Sequence, residues 1–249
     1  MGNMMTLGNV ETSFQAYVSE PAGTPRGGLL LIHEIWGLVD HIKDVADRYA
    51  AEGYLVLAPD LMAQTGMTPE VADEVLAALA DPDPEQRSKV QPRLRELTSP
   101  LHSPEFAEQA VAALRACVNH LEGVPGLAGR VAVTGFCFGG GYSFELATKE
   151  PRLRAAVPFY GSADFSEEEL GRIKCPVLAF YGDEDTPLVT KLPILKARMY
   201  AAGVDFEPVV YPGTGHAFFN DSTPARYNAD AAQDAWKRTL AFLERSLNG

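Results

Sequence analysis

The stretch Val131-Ala-Val-Thr-Gly-Phe-Cys-Phe-Gly-Gly-Gly-Tyr142 joins an apolar, β-branched run to a helical pattern through one cysteine, with Gly135 two residues before it and Gly139 two after. This predicts a strand, a tight turn and a helix. The G-x-C-x-G spacing is that of a nucleophile elbow with cysteine in place of serine. Such a turn strains the backbone of its central residue, and strand and helix crowd each other two positions away, where only a residue without Cβ fits. The geometry lifts the Cys137 thiol to the top of the sheet and sets it at a helix N-terminus, where unpaired N–H groups and the helix dipole favour negative charge. A buried structural cysteine in an ordinary Gly-rich turn is the competing reading, and the rest of the chain has to decide between them.

Along the chain, apolar strand patterns alternate with helical ones. An alternating apolar and polar run at 12–19 predicts an antiparallel edge strand. Continuous apolar runs follow at 28–33, 54–58, 131–136, 153–161 and 175–182, as expected of strands covered on both faces, and a further strand is predicted at 205–211. Between them, helices are predicted at 39–52, 103–121, 138–149, 189–202 and 228–247. Ser103 and Pro104 form an N-cap signal for the second of these. The pattern predicts an α/β fold: one domain over residues 1–249, with a mostly parallel, doubly wound sheet and helices on both faces. Residues 62–100 read as a helical excursion over the mouth of the sheet, split by Asp81-Pro-Asp-Pro84.

Four polar residues fall at carboxyl ends of the predicted parallel strands, where ligand sites of such sheets lie: Glu34, Cys137, Asp185 and His216. Nucleophile, acid and histidine in that order is the chain order of the α/β-hydrolase triad. A thiol needs a base to take its proton, and the imidazole needs a carboxylate on its other nitrogen to hold the tautomer. Asp183 and Glu184 are rivals of Asp185, but in Gly182-Asp-Glu-Asp185 the last acid sits past the turn, where it can face a histidine.

Together, Gly-Phe-Cys-Phe-Gly-Gly, His-Glu-Ile-Trp-Gly, Ala-Pro-Asp-Leu, Tyr-Gly-Asp-Glu-Asp and Gly-His-Ala-Phe-Phe-Asn resemble the dienelactone hydrolase (carboxymethylenebutenolidase) family over nearly the whole chain. The resemblance implies a carboxylic ester hydrolase with a Cys137, His216 and Asp185 triad. It implies an oxyanion hole from the backbone N–H groups of Ile35 and Phe138, Glu34 beside the resting thiol, and neither metal nor organic cofactor. Members that open dienelactones hold the substrate carboxylate with arginines, one of them four residues after the histidine. That position is Asn220 here, and Arg87 in the excursion is a candidate counterpart of the other. Trp36, Tyr160, Phe218 and Asn220 are the expected substrate-binding residues. They make a largely apolar, aromatic pocket for a small ester or lactone. Competing expectations are another activated ester on the same triad, or a non-catalytic binding protein of the same fold.

Composition narrows the partners. A net charge of −12 argues against nucleic acid and anionic membranes, which need clustered Lys and Arg. The three cysteines show no metal-type pairing, and reduced thiols in a cytoplasm are expected. No run has the length of a membrane span, and the start lacks the order of a signal peptide. Met1-Gly-Asn-Met-Met-Thr6 matches a loose acylation pattern too short to carry a conclusion. Either a monomer or a homodimer fits the sequence.

Overall fold

The computed structural model describes residues 2–8 and 13–248. Among these residues eight strands, numbered in chain order, form one sheet in the order β1-β2-β4-β3-β5-β6-β7-β8. The first three places are antiparallel neighbours: β1 (Asn3–Leu7) on β2 (Phe14–Ser19), and β2 on β4 (Tyr54–Pro59). From β4 onward every pairing is parallel, through β3 (Gly27–Ile32), β5 (Val131–Phe136), β6 (Ala155–Phe159), β7 (Val177–Gly182) and β8 (Phe206–Tyr211). The central strands are buried along their whole length, which is why their sequences are continuously apolar.

The strand expected at 12–19 is β2, and it is not the edge: β1 pairs outside it, in register from Asn3 against Val18 to Leu7 against Phe14. Short strands at a sheet margin exist through their partner, and nothing in the local pattern of residues 3–7 announces one. Met1 and Thr12, at the ends of two of the sequence patterns, lie outside the described residues.

Helices cover both faces. On one, α1 (Asp40–Ala51) and the last helix, α9 (Ala229–Leu247), bury Ile42, Val45, Tyr49, Ala235 and Leu243 against the strands. On the other, α4 (Pro104–Gly123) and α5 (Phe138–Lys149) bury Leu114, Cys117, Leu121, Phe144 and Leu146. Ser103 caps α4 by accepting the Phe106 N–H at 3.1 Å, and Asn228 caps α9 by accepting that of Ala231 at 3.0 Å. After β6 comes the single turn α6 (Glu167–Leu170), closed by a capping box between Ser166 and Glu169. The helix expected at 189–202 is α8 (Leu192–Ala201), which buries Leu192 and Leu195 in the core, and a separate turn, α7 (Thr186–Val189), precedes it.

The excursion at 62–100 contains α2 (Pro69–Leu79) and α3 (Pro84–Thr98), separated at the Asp-Pro repeat. It has an apolar cluster of its own, Met62, Met67, Ala72, Val75 and Leu97, against which Trp36 and Phe106 pack. Among the described residues no helix is long and apolar enough to cross a membrane.

Candidate active site

The carboxyl ends of β3, β5, β6 and β7 and the loop after β8 converge on one place. At its centre Cys137 ends β5 and precedes α5 with φ 57° and ψ −111°, a left-handed conformation that an L-residue adopts only under constraint. The constraint is visible: its N–H donates to Phe159 O at 3.0 Å, and its carbonyl accepts the Gly141 N–H at 3.0 Å. The flanking glycines are steric requirements. A Cβ on Gly135 would lie 2.3 Å from Gly139 O, and one on Gly139 would lie 2.2 Å from Ile32 O. The N–H of Phe138, the first amide of α5, favours negative charge on the half-buried thiol.

Asp185 follows β7 and is buried, whereas its neighbours Asp183 and Glu184 are exposed. The His216 Nδ1–H donates to Asp185 Oδ2 at 2.5 Å, which leaves Nε2 as the imidazole's acceptor nitrogen. Asp183 instead accepts the Thr214 N–H at 3.3 Å, so of the three acids the turn presents Asp185 to the ring. The His216 side chain is 34% exposed and its ring lies 5.0 Å from that of Tyr160. Among the described residues the thiol and the imidazole are not hydrogen-bonded to each other: the ring's partner is Asp185.

Glu34 follows β3 and is buried. Its Oε2 accepts the Asn220 Nδ2–H at 2.8 Å, and Tyr160 OH donates more weakly to Oε1 at 3.4 Å. Burial pushes its pKa up to about 7, opposed by the Asn220 hydrogen bond and by the positive charge of Arg226. Burial likewise raises the Cys137 thiol to about 12, and the Glu34 carboxylate is the next largest cause. The resting thiol is therefore neutral.

The other expected residues have varied placements. Ile35 and Trp36 are half-buried on the turn after β3, with Trp36 against the excursion. Tyr160 and Phe218 are fully buried, their rings 5.5 Å apart edge to face, and form a floor behind His216. Asn220 is buried against Glu34. Arg87 has its partners within the excursion: its guanidinium donates to Asp81 O and Pro82 O at 2.7 and 2.9 Å, closing the start of its own helix. Two residues at the site were not singled out in the sequence. Arg226 lies in a loop with no motif, and only its long-range effect on Glu34 and Cys137 reveals it. His33 stood in plain view in His-Glu-Ile-Trp-Gly, but no local pattern distinguishes it from a buried strand-end histidine.

Known proteins resemble this chain in sequence and in fold. The model of the dienelactone hydrolase family matches residues 14–247. A protein of Saccharolobus solfataricus, named as a candidate carboxymethylenebutenolidase, is 34% identical over 93% of this chain and 93% of its own. The crystal structure of a candidate dienelactone hydrolase from Klebsiella pneumoniae superposes with a TM-score of 0.79 at 28% identity, covering 98% of each chain. That of a dienelactone hydrolase from Anabaena variabilis, 17% identical, shares the fold with a TM-score of 0.69 over 99% of this chain and 98% of its own.

Proposed function

The chain belongs to the dienelactone hydrolase family, whose members are hydrolases of ester or lactone bonds, and we propose that it works through a covalent acyl-enzyme on Cys137. The observation that supports this most is the pairing of Asp185 with His216 Nδ1 beside an elbow that strains Cys137 into φ 57°. In this reading His216 Nε2 takes the thiol proton as Sγ attacks the carbonyl carbon. The oxyanion is held by the N–H groups of Phe138 and Ile35, worth a few kcal/mol each when aimed at the developing charge. His216 then gives the proton to the departing alkoxide, and the carbonyl re-forms as a thioester. A water, deprotonated by the same nitrogen, attacks the thioester and releases the carboxylic acid and the thiol. Asp185 keeps the imidazole in the required tautomer and stabilises the imidazolium.

The resting site opposes this chemistry, since a carboxylate beside the thiol disfavours a second negative charge. Substrate entry either displaces Glu34, so that His216 takes the thiol proton as above, or passes that proton to Glu34, which must then return it by way of His216 to the departing alkoxide. A carboxyl group whose pKa is near 7 can accept that proton at neutral pH. Asn220, spent on Glu34, offers a substrate no cation, and the positive charge of Arg226 already acts on Glu34, which favours a neutral ester or lactone as substrate over a carboxylate-bearing one.

A panel of chromogenic esters and lactones, neutral and carboxylate-bearing, tests the reading when followed by intact-mass analysis. Wild type should gain an acyl mass on Cys137, and Cys137→Ala should lose both the adduct and turnover while keeping its circular dichroism. Turnover by the folded alanine variant would sink it.

A further inference from the structure

His33 is a fully buried histidine next to the site, with no part in the chemistry above. Both of its ring nitrogens are used. Nδ1 lies 2.6 Å from Glu34 O, and Nε2 lies 3.0 Å from Leu61 N. A carbonyl can only accept and a backbone N–H can only donate, so Nδ1 carries the proton and Nε2 the lone pair. The ring is held as one neutral tautomer. Burial pushes its pKa down, in keeping with that state, with the nearby Asp60 pulling the other way. Its own carbonyl accepts the Gly139 N–H at 3.1 Å, and its ring stacks on Phe138 with centroids 5.8 Å apart and planes 7° from parallel.

The first of these contacts bears on catalysis. Glu34 C=O and Ile35 N–H belong to one planar, trans peptide unit and so point in opposite directions. Holding the carbonyl fixes where the N–H aims. The Nδ1–H of His33 holds it from one side, and the Gly37 N–H, at 3.2 Å from the same oxygen, holds it from the other. Hydrogen bonding at the carbonyl also polarises the amide, making its N–H a stronger donor. The Leu61 bond anchors the ring to the segment after β4, so that the peptide is braced against the neighbouring strand and not only against its own turn.

We propose that His33 is a positioning residue of the oxyanion hole: its Nδ1–H grips the Glu34 carbonyl and thereby aims the Ile35 N–H, while its ring and carbonyl brace Phe138 and Gly139. The proposal rests on the reading of Ile35 and Phe138 as oxyanion donors. It makes the histidine of His-Glu-Ile-Trp-Gly a determinant of kcat that touches neither substrate nor nucleophile.

Two variants separate this role from plain core packing. His33→Leu removes both ring bonds. His33→Asn places an amide N–H where Nδ1–H was but leaves Leu61 without an acceptor. With a neutral p-nitrophenyl ester, the leucine variant should lose about 10²- to 10³-fold in kcat with KM within about 3-fold of wild type, the loss expected for one misaimed oxyanion donor. The asparagine variant should keep kcat within about 10-fold although it melts earlier. Alkylation of Cys137 by iodoacetamide, which develops no oxyanion, should proceed at the wild-type rate in both. A folded leucine variant with kcat within about 3-fold of wild type overturns the proposal, as does an asparagine variant that loses about 100-fold in kcat, and the latter decides the matter if leucine does not fold. If instead wild type forms no acyl adduct on Cys137, the reading of the site fails, whatever the His33 variants do.

Discussion

Asn220 Nδ2 donates to Glu34 Oε2 at 2.8 Å, across 186 residues of sequence, with both side chains buried. The orientation of the amide is not free: Asn220 Oδ1 accepts the Ser222 N–H at 3.0 Å and the Ser222 hydroxyl at 2.6 Å, so the NH₂ group must face the carboxylate. Asn220→Ala should remove a hydrogen bond to a charged group, about 1.5–3 kcal/mol, and raise the Glu34 pKa further. Urea denaturation should show the larger loss at pH 8, where Glu34 is ionised, and a smaller one at pH 5.5. Equal losses at the two pH values would mean that the amide does not support the charge.

The same contact governs what an arginine at this position would do. A guanidinium beside Glu34 has a closer carboxylate than any substrate can offer. Asn220→Arg alone should leave the kcat/KM ratio of carboxylate-bearing to neutral lactones within about 3-fold of wild type, and the Glu34→Gln, Asn220→Arg double variant should raise it by about 10-fold or more. A rise already present in the single variant would show that Glu34 does not capture the arginine.

Glu34 itself should leave a mark on stability. Its pKa is about 7 in the folded chain, against about 4.3 for an unperturbed glutamate. Between those values the folded state keeps a proton that the unfolded state has lost. Its contribution therefore favours folding below about pH 4, falls as pH rises through that window, and levels off above about pH 7. The total is about 4 kcal/mol. Glu34→Gln should lack this slope and be the more stable protein at pH 8. Removing the charge should also shift alkylation of Cys137 to lower pH, and superimposable alkylation curves would show that Glu34 does not hold the thiol neutral.

What could be read in advance follows from how local each cause is. Gly135, Cys137 and Gly139 announce the elbow because the clash that requires them lies within one turn of chain. Asp185 and His216 were legible as strand-end residues, since the parallel sheet brings such ends to one edge. β1 was not, because its strand depends on pairing with β2 and not on a pattern of its own. The bond between Asn220 and Glu34, the reach of Arg226 and the two-sided grip of His33 are long-range contacts, and no period or spacing encodes them.

The strain at Cys137 gives a trade between stability and activity. A residue held in a sparsely populated backbone region costs about 1–3 kcal/mol, and glycine adopts φ 57° without that cost. Cys137→Gly should therefore be more stable than Cys137→Ala by about 1–2 kcal/mol in denaturant titrations, with both inactive. An alanine variant as stable as the glycine one would mean that the elbow relaxes once the thiol is gone.

The last test separates close approach from helix propensity, using two glycines of α5. A Cβ on Gly139 would meet Ile32 O at 2.2 Å and His33 O at 2.6 Å, both backbone atoms that cannot rotate away. α5 would have to withdraw from β3, breaking the Gly139 N–H bond to His33 O and moving the Phe138 N–H with it. On Gly141 the same Cβ meets only Ser162 O, at 3.4 Å, an ordinary contact. Gly141→Ala should therefore be neutral or gain up to about 1 kcal/mol from helix propensity. Gly139→Ala should lose about 3 kcal/mol or more, beyond the usual cost of overpacking because the obstacle is main chain. Its kcat should fall by about 100-fold or more even at temperatures where it remains folded, because the displaced atoms include a proposed oxyanion donor. If the two alanine variants matched in stability and kcat, the approach of α5 to β3 would not be what holds the elbow in its working geometry.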